Sequence, residues 1–181
     1  MLEKHKLYSS LIDHFDPVGL ATLEVERLYE LMETAKFFSE FSQADIDKLA
    51  MNMDLYNVPP DTMIIREGDL EDFMLLILDG TVKISKLDPA GNQRTVSIAS
   101  NGASLGEMSV VDGEPRFASC TTTEDTTFVI LRRAKMVNLI VSDPAFGCKI
   151  LAMFVSILSK RVRETSIDLI QSLQSDDKNF V

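Results

Sequence analysis

Evenly spaced glycines divide the middle of this chain into short segments of a length that suits β-strands. Six of the eight glycines in the 181 residues fall between positions 68 and 113, at intervals of about ten residues. Between 61 and 131, the segments they separate are rich in Val, Ile, Phe and Thr, and Pro89-Ala90-Gly91-Asn92 marks a hairpin. This pattern predicts an antiparallel β-roll, the double-stranded β-helix or jelly-roll-like architecture.

Helical periodicity is found on both sides of this region. In residues 1–57 apolar side chains recur at three- and four-residue steps, and Ser42 precedes one such group as a predicted N-cap. Asp143 and Pro144 predict the N-cap and first residue of a long helix, which continues to a polar tail. The predicted fold class is mainly β with α: a roll flanked by N-terminal helices and a long C-terminal helix.

Composition and charge exclude several classes of function. The net charge is −10, and no segment carries the basic stripe that nucleic-acid binding requires. No apolar run reaches the length of about 20 residues that a membrane-spanning helix needs, and Met1 to Ser10 is too polar for a signal peptide. Cys120 and Cys148 lack metal-ligand spacing. We therefore expect a cytoplasmic protein with reduced thiols that contacts neither membrane nor nucleic acid.

Residues 106–118 combine the residue types that suit a small anionic ligand. Gly106 frees backbone N–H groups at the start of a short turn, where they can point at a phosphate. Arg116 can meet the same oxygens with its planar fork of donors, whereas the Glu107 carboxylate can accept hydrogen bonds from hydroxyl groups. A base and an acid at this spacing suit a ligand that carries both a phosphate and a sugar.

This segment resembles the phosphate-binding cassette of cyclic nucleotide-binding domains, the sensor domains of catabolite activators and protein kinase A regulatory subunits. The resemblance covers roughly residues 38 to 174 and includes Gly68-Asp69, Gly80, Gly106-Glu107 and Pro115-Arg116, in this order. It implies that Glu107 binds the ribose 2′-hydroxyl and that Arg116 binds the exocyclic phosphate oxygens. It also implies cAMP or cGMP as the ligand, with no metal and no other cofactor.

The resemblance implies further ligand contacts. Phe117 and Ala118 would lie beside the phosphate, but Phe117 stands where the family usually has Ala, Ser or Thr. Its ring could stack on the base, turn outward, or fill the site and exclude nucleotide. The remaining implied contacts are with the base: Ile84, Val96 and Ser97 from the strands, and Thr165 and Ser166 from the long helix. For Ile84 and Val96, plain strand core is the alternative.

Two apolar faces run along the predicted long helix. One consists of Val155, Leu158, Val162, Thr165, Leu169 and Leu173, and a neighbouring face of Ile150, Phe154, Ile157 and Ile170. Two faces need two partners. We expect one partner to be the roll and the other to be the same helix of a second copy in a homodimer.

These patterns predict three regions: a helical arm at 1–37, a cyclic nucleotide-binding domain at 38–174 that includes the long helix 144–174, and a polar tail at 175–181. The expected function is a non-enzymatic regulatory domain that prefers cAMP to cGMP and signals to an unknown effector protein by repacking its C-terminal helix. A degenerate pocket serving as a protein-interaction scaffold is the alternative. A metal-dependent cupin enzyme would need histidines in the roll, where the sequence has none.

Overall fold

The computed structural model describes residues 11–177, with side chains up to residue 170. The α-helices are α1 (Val25–Thr34), α2 (Gln43–Ala50), α3 (Glu107–Asp112), α4 (Arg133–Ser142) and α5 (Pro144–Asp177). Short 3-10 helices cover Leu11–His14, Ala21–Glu24 and Lys36–Phe38. Residues 178–181 of the predicted polar tail lie outside the described residues, as does the Leu173 side chain.

Nine strands in the described part of the chain form two antiparallel sheets. They are β1 (Gly19–Leu20), β2 (Asp54–Val58), β3 (Met63–Ile65), β4 (Phe73–Asp79), β5 (Val82–Leu87), β6 (Gln93–Ala99), β7 (Ser104–Leu105), β8 (Ser119–Thr122) and β9 (Thr126–Arg132). One sheet has the order β1-β2-β9-β4-β7 and the other the order β3-β8-β5-β6. The β-roll with a long C-terminal helix is therefore confirmed.

Side-chain alternation along β4 separates the two layers of the core. Phe73, Leu75 and Ile77 enter the roll-interior cluster, which lies between the sheets. The intervening side chains enter the helix-side cluster, where the first sheet packs against the helices: Met74, Leu76 and Leu78. Because β4 is covered on both faces, its sequence is a continuous apolar run instead of an alternating one.

The first half of α5 packs into the helix-side cluster. Phe146, Ile150, Met153, Phe154 and Ile157 are all buried there. This confirms the predicted roll-facing side of the helix, except that Ile170 is 56% exposed. The expectation for Ile170 was wrong because the buried contact of α5 ends before that residue.

The N-terminal segment contributes more than helices. Gly19 pairs with Leu55 and Leu20 with Asp54, so β1 forms an edge of the first sheet. Ile12 is fully buried in the roll-interior cluster. The interpretation of 1–57 as purely helical was therefore wrong at β1 and β2, where pairing with neighbouring strands overrides the local periodicity. A domain boundary after residue 37 stays a prediction.

Several local predictions are confirmed. Ser42 caps α2 in a capping box with Asp45, and Asp143 accepts a hydrogen bond from Phe146 N at the start of α5. The predicted hairpin joins β5 to β6, with a Gly91 φ of 82° and a turn that Asp88 holds by accepting from Ala90 N and Asn92 N. These features depend on residues close in sequence.

Candidate functional site

Gly106 forms the turn between β7 and α3. Its φ is 81°, a left-handed conformation that favours glycine. A Cβ at this position would overlap the Arg116 guanidinium and would lie 3.0 Å from the Phe73 carbonyl oxygen. The turn therefore needs glycine both for its conformation and for the close approach of Arg116.

Arg116 lies in the roll interior, with a side chain that is 1% exposed. Its Nη1 donates to Gly106 O at 2.9 Å, and its Nε donates to Glu71 Oε2 at 3.2 Å. The guanidinium carbon lies 4.3 Å from the centroid of the Phe73 ring. Burial lowers the pKa of the guanidinium, and the Glu71 carboxylate opposes that shift.

One nitrogen of Arg116 has no partner. Nη2 is buried and makes no hydrogen bond with any described residue. A buried donor without an acceptor costs about 1 to 3 kcal/mol, and more when it is charged. An anion beside Nη2 would remove this cost. The buried guanidinium therefore has one charged donor that suits an anionic ligand.

Glu107 is buried at the start of α3 and is bound by the long helix. Its Oε1 accepts from Arg161 Nη2 at 2.8 Å, and the same nitrogen donates to Ser104 O at 2.9 Å. Burial raises the pKa of the Glu107 carboxyl, and the positive charge of Arg161 limits the rise. Arg161 therefore connects α5 directly to the turn that carries Gly106.

The Phe117 ring is largely exposed and contacts a lysine. Its ring is 58% exposed, and Lys86 Nζ lies 4.0 Å from the ring centroid. Lys86 Nζ also donates to the Phe117 carbonyl oxygen at 2.6 Å. Of the three orientations considered for the ring, the exposed one is therefore found, while a role for Phe117 and Ala118 in ligand binding stays a prediction.

The residues expected at the base lie in different environments. Ile84 is 8% exposed and belongs to the roll-interior cluster, opposite Ser97 in the β5–β6 register. Val96 is 59% exposed on β6, which is an edge strand of its sheet. Plain strand core is thus wrong for Val96, which is available to a ligand or a partner.

Thr165 and Ser166 are exposed on α5 beyond the roll. The Ser166 hydroxyl donates to Val162 O at 2.7 Å within its own helix. Arg161, one helical turn before Thr165, is the α5 residue that donates to Glu107 and Ser104. Contact of Thr165 or Ser166 with a base stays a prediction.

Sequence reasoning missed three residues of the site: Glu71, Arg161 and Lys86. Glu71 was recognisable as an acid just before the apolar run of β4, since a carboxylate next to buried strand residues needs a cationic partner. Arg161 and Lys86 had no comparable signal, because one lies on a helix with other basic residues and the other on a strand with a second lysine.

Within residues 11–177, no group of three or more His, Cys, Asp or Glu side chains could hold a metal ion. Among the helices of the same range, none combines the length and apolarity needed to cross a bilayer.

The chain is similar to known cyclic nucleotide-binding domains. The sequence profile of the cyclic nucleotide-binding domain family matches residues 56–143, which contain Gly106, Glu107 and Arg116. A crystal structure of a cyclic nucleotide-binding domain from Methylobacillus flagellatus KT is similar with a TM-score of 0.83 and 30% identity, covering 95% of this chain and 97% of that chain.

Two bacterial regulators are similar in sequence. The cyclic AMP receptor protein of Thermus thermophilus is 27% identical over 76% of this chain and 62% of its own length. A CRP-like cAMP-activated global transcriptional regulator of Mycobacterium tuberculosis is 25% identical over 81% of this chain and 64% of its own length. The chain thus spans less than two thirds of the length of these curated relatives.

Proposed function

Because the chain belongs to the cyclic nucleotide-binding domain family, we propose that it is a regulatory module that binds a cyclic nucleotide, with cAMP preferred over cGMP. The observation that carries this proposal is the buried Nη2 of Arg116, which lacks an acceptor. The exocyclic phosphate of the ligand supplies acceptors for this nitrogen. A charge-assisted hydrogen bond of this kind is about twice as strong as a neutral one.

The remaining ligand contacts follow from the arrangement around Arg116. Glu107 accepts from the ribose 2′-hydroxyl while it keeps Arg161, since an ionised carboxylate has about four lone-pair sites. The Gly106 turn and the backbone of Phe117 and Ala118 meet the phosphate. The base lies between α5 and the strand residues Ile84, Val96 and Ser97.

Preference for cAMP rests on Phe117. The family resemblance associates cGMP with a threonine hydroxyl directly after the arginine, and a phenylalanine ring has no hydroxyl to donate or accept. One face of the ring is also occupied by the Lys86 ammonium. Guanine therefore gains no specific contact at this position.

The second apolar face of α5 supports a homodimer. Leu151, Val155, Val162 and Leu169 are each at least half exposed, and Leu158 lines a surface groove with Val155 and Val162. Successive members of this stripe lie three or four residues apart, as in a two-stranded coiled coil. The same stripe of a second copy would cover it, with Thr165 in the seam.

Signalling would pass through Arg161. This residue connects α5 to Glu107 and Ser104, so a ligand that engages Glu107 changes the contacts that hold the helix. The ligand shifts the helix position only by its difference in affinity for the two arrangements. The repacked helix, or the pair of helices in the dimer, then contacts an effector protein.

One observation favours the alternative of a scaffold without nucleotide. The side chains of Arg116 and Glu107 are 1% and 4% exposed, and each already has an ionic partner. A scaffold would keep these two ion pairs permanently, whereas a sensor must rearrange them when a nucleotide enters. A test of nucleotide binding therefore distinguishes the two functions.

The decisive experiment is calorimetric titration of the full chain with cAMP and cGMP, with 5′-AMP as the acyclic control. We expect saturable binding of cAMP, weaker binding of cGMP and no binding of 5′-AMP. Absence of heat and of any thermal shift with both cyclic nucleotides would reject the sensor and leave the scaffold.

A further inference from the structure

Three hydrogen bonds hold the segment that follows Arg116. Gly68 N donates to the Arg116 carbonyl oxygen at 2.9 Å, and Glu67 N donates to Ser119 Oγ at 2.9 Å. Between them, Lys86 Nζ donates to the Phe117 carbonyl oxygen at 2.6 Å. The first bond joins two backbone groups, the second joins a backbone N–H to the Ser119 hydroxyl, and the third depends on the Lys86 side chain.

Lys86 is itself held in place. Its ammonium pairs with Glu67 Oε1 at 3.0 Å, while Glu67 Oε2 accepts from Leu87 N at 2.9 Å. These bonds, first that from Leu87 and then that from Lys86, lower the pKa of the Glu67 carboxyl. The Lys86 ammonium also packs against the face of the Phe117 ring. Lys86 therefore has three partners in a defined geometry.

A fixed carbonyl also fixes the neighbouring N–H. The peptide unit is planar and trans, so the C=O of Phe117 and the N–H of Ala118 point in opposite directions. With the carbonyl held toward Lys86, the Ala118 N–H points away from Lys86. The unit lies directly after Arg116, the residue with the unsatisfied donor.

We propose that Lys86 is a positioning residue for phosphate recognition: by holding the Phe117 carbonyl and ring, it orients the Phe117–Ala118 peptide as a second donor beside Arg116. This inference rests on the proposed binding of a cyclic nucleotide. It also explains how the site accommodates Phe117. The ring packs against the Lys86 ammonium and is 58% exposed, so its side chain is held at the surface.

The test compares three single variants of the full chain. Lys86→Met removes the ammonium and keeps much of the stem, and Lys86→Arg keeps a cation. Lys83→Met, the matched control, removes a charge from the same strand. Each variant and the native protein are titrated with cAMP and with the two phosphorothioate diastereomers, Rp-cAMPS and Sp-cAMPS. Hydrogen exchange of residues 116–119 is measured without ligand.

We expect Lys86→Met to weaken cAMP binding by about three- to tenfold, as for the loss of one hydrogen bond. The ratio of Rp to Sp affinities should shift, because sulfur replaces one exocyclic oxygen in each diastereomer and only one oxygen faces the peptide. Exchange at 116–119 should accelerate. Lys86→Arg should restore most of the ratio, and Lys83→Met should match the native protein. General destabilisation of the protein would instead weaken the binding of both diastereomers equally and leave their ratio unchanged.

The outcomes separate this inference from the function on which it rests. If the native protein binds none of the three nucleotides, the proposed function fails, and the phosphate role of Lys86 fails with it. If the native protein binds but Lys86→Met keeps the native affinity and diastereomer ratio, the positioning role alone is overturned. Unchanged exchange at 116–119 in Lys86→Met would overturn it as well.

Discussion

Arg116 and Glu71 form an ion pair in the roll interior, with Nε 3.2 Å from Oε2 and both side chains 1% exposed. Glu71 Oε1 also accepts from Leu11 N at 2.9 Å. Arg116 is thereby connected to the N-terminal segment through one carboxylate. The pair neutralises a buried charge, while Nη2 of Arg116 makes no hydrogen bond with any described residue.

Removal of Arg116 should abolish nucleotide binding. Truncation of a buried charge that contacts a phosphate costs about 2 to 5 kcal/mol, which is roughly 30- to several-thousand-fold in affinity. Arg116→Ala also removes the cation that pairs with the buried Glu71 carboxylate and should lower stability. The double variant Arg116→Met/Glu71→Gln avoids that charge and keeps an acceptor for Leu11 N. Calorimetry should detect no cAMP binding by the double variant at micromolar ligand, and native affinity there would contradict the role of Arg116.

The ribose contact can be tested through the sugar. If Glu107 accepts from the 2′-hydroxyl, 2′-deoxy-cAMP should bind the native protein about tenfold or more weakly than cAMP, as expected when a bond to a charged group is lost. In Glu107→Gln the difference between the two nucleotides should shrink. Competition titrations measure both differences, and equal affinities for the native protein would refute the assignment.

A charge in the exposed stripe of α5 should disrupt the dimer. Leu158→Glu places two carboxylates opposite each other in a parallel pair and should shift the protein to monomer. Ile167→Glu is the matched control, because this 54% exposed residue lies on another side of the helix. Light scattering at tens of micromolar reports both states. A monomeric native protein would reject the dimer and any base contact across it.

The two cysteines test the register of that dimer. Cys148 is exposed and lies seven residues before Val155, so a parallel pair places the two copies of Cys148 opposite each other. A short bis-maleimide should therefore join the chains through Cys148. Cys120 is buried, which raises the pKa of its thiol to about 12 and keeps it protonated. Cross-linking that persists in Cys148→Ser would contradict this register.

Asp45 should make stability depend on acid pH. Burial raises the pKa of its carboxyl, but the hydrogen bonds from Lys149 and Ser42 outweigh this and lower it to about 2. The folded pKa lies below the unfolded value, so the stabilisation is present above about pH 4 and is lost as the pH falls toward 2. Asp45→Asn should lower the Tm at pH 7 by about 2 to 4 °C, for a loss of about 1 kcal/mol.

The Tm difference between the native protein and Asp45→Asn should narrow as the pH is reduced. Measurements of both Tm values at pH 7, 4 and 3 test this. Glu164→Gln is the control, since its pair with Lys160 is exposed and should contribute little. A Tm difference that stays constant down to pH 3 would contradict the lowered pKa of Asp45.

The sequence by itself determined those features that depend on neighbouring residues. The caps at Ser42 and Asp143 and the hairpin at Gly91 were predictable, because each is a contact within a few residues. The strand runs and the glycine spacing indicated the roll, and the resemblance at Glu107 and Arg116 identified the family. All of this information is local in the chain.

Only the tertiary structure decided which side chains meet at the candidate site. Arg116 pairs with Glu71 across 45 residues, Glu107 with Arg161 across 54, and Phe117 with Lys86 across 31. Buried charged groups accept whichever partner the fold brings within hydrogen-bond distance, and no periodicity encodes that distance. The outward orientation of Phe117 was undecided for the same reason, because it depends on a lysine from another strand.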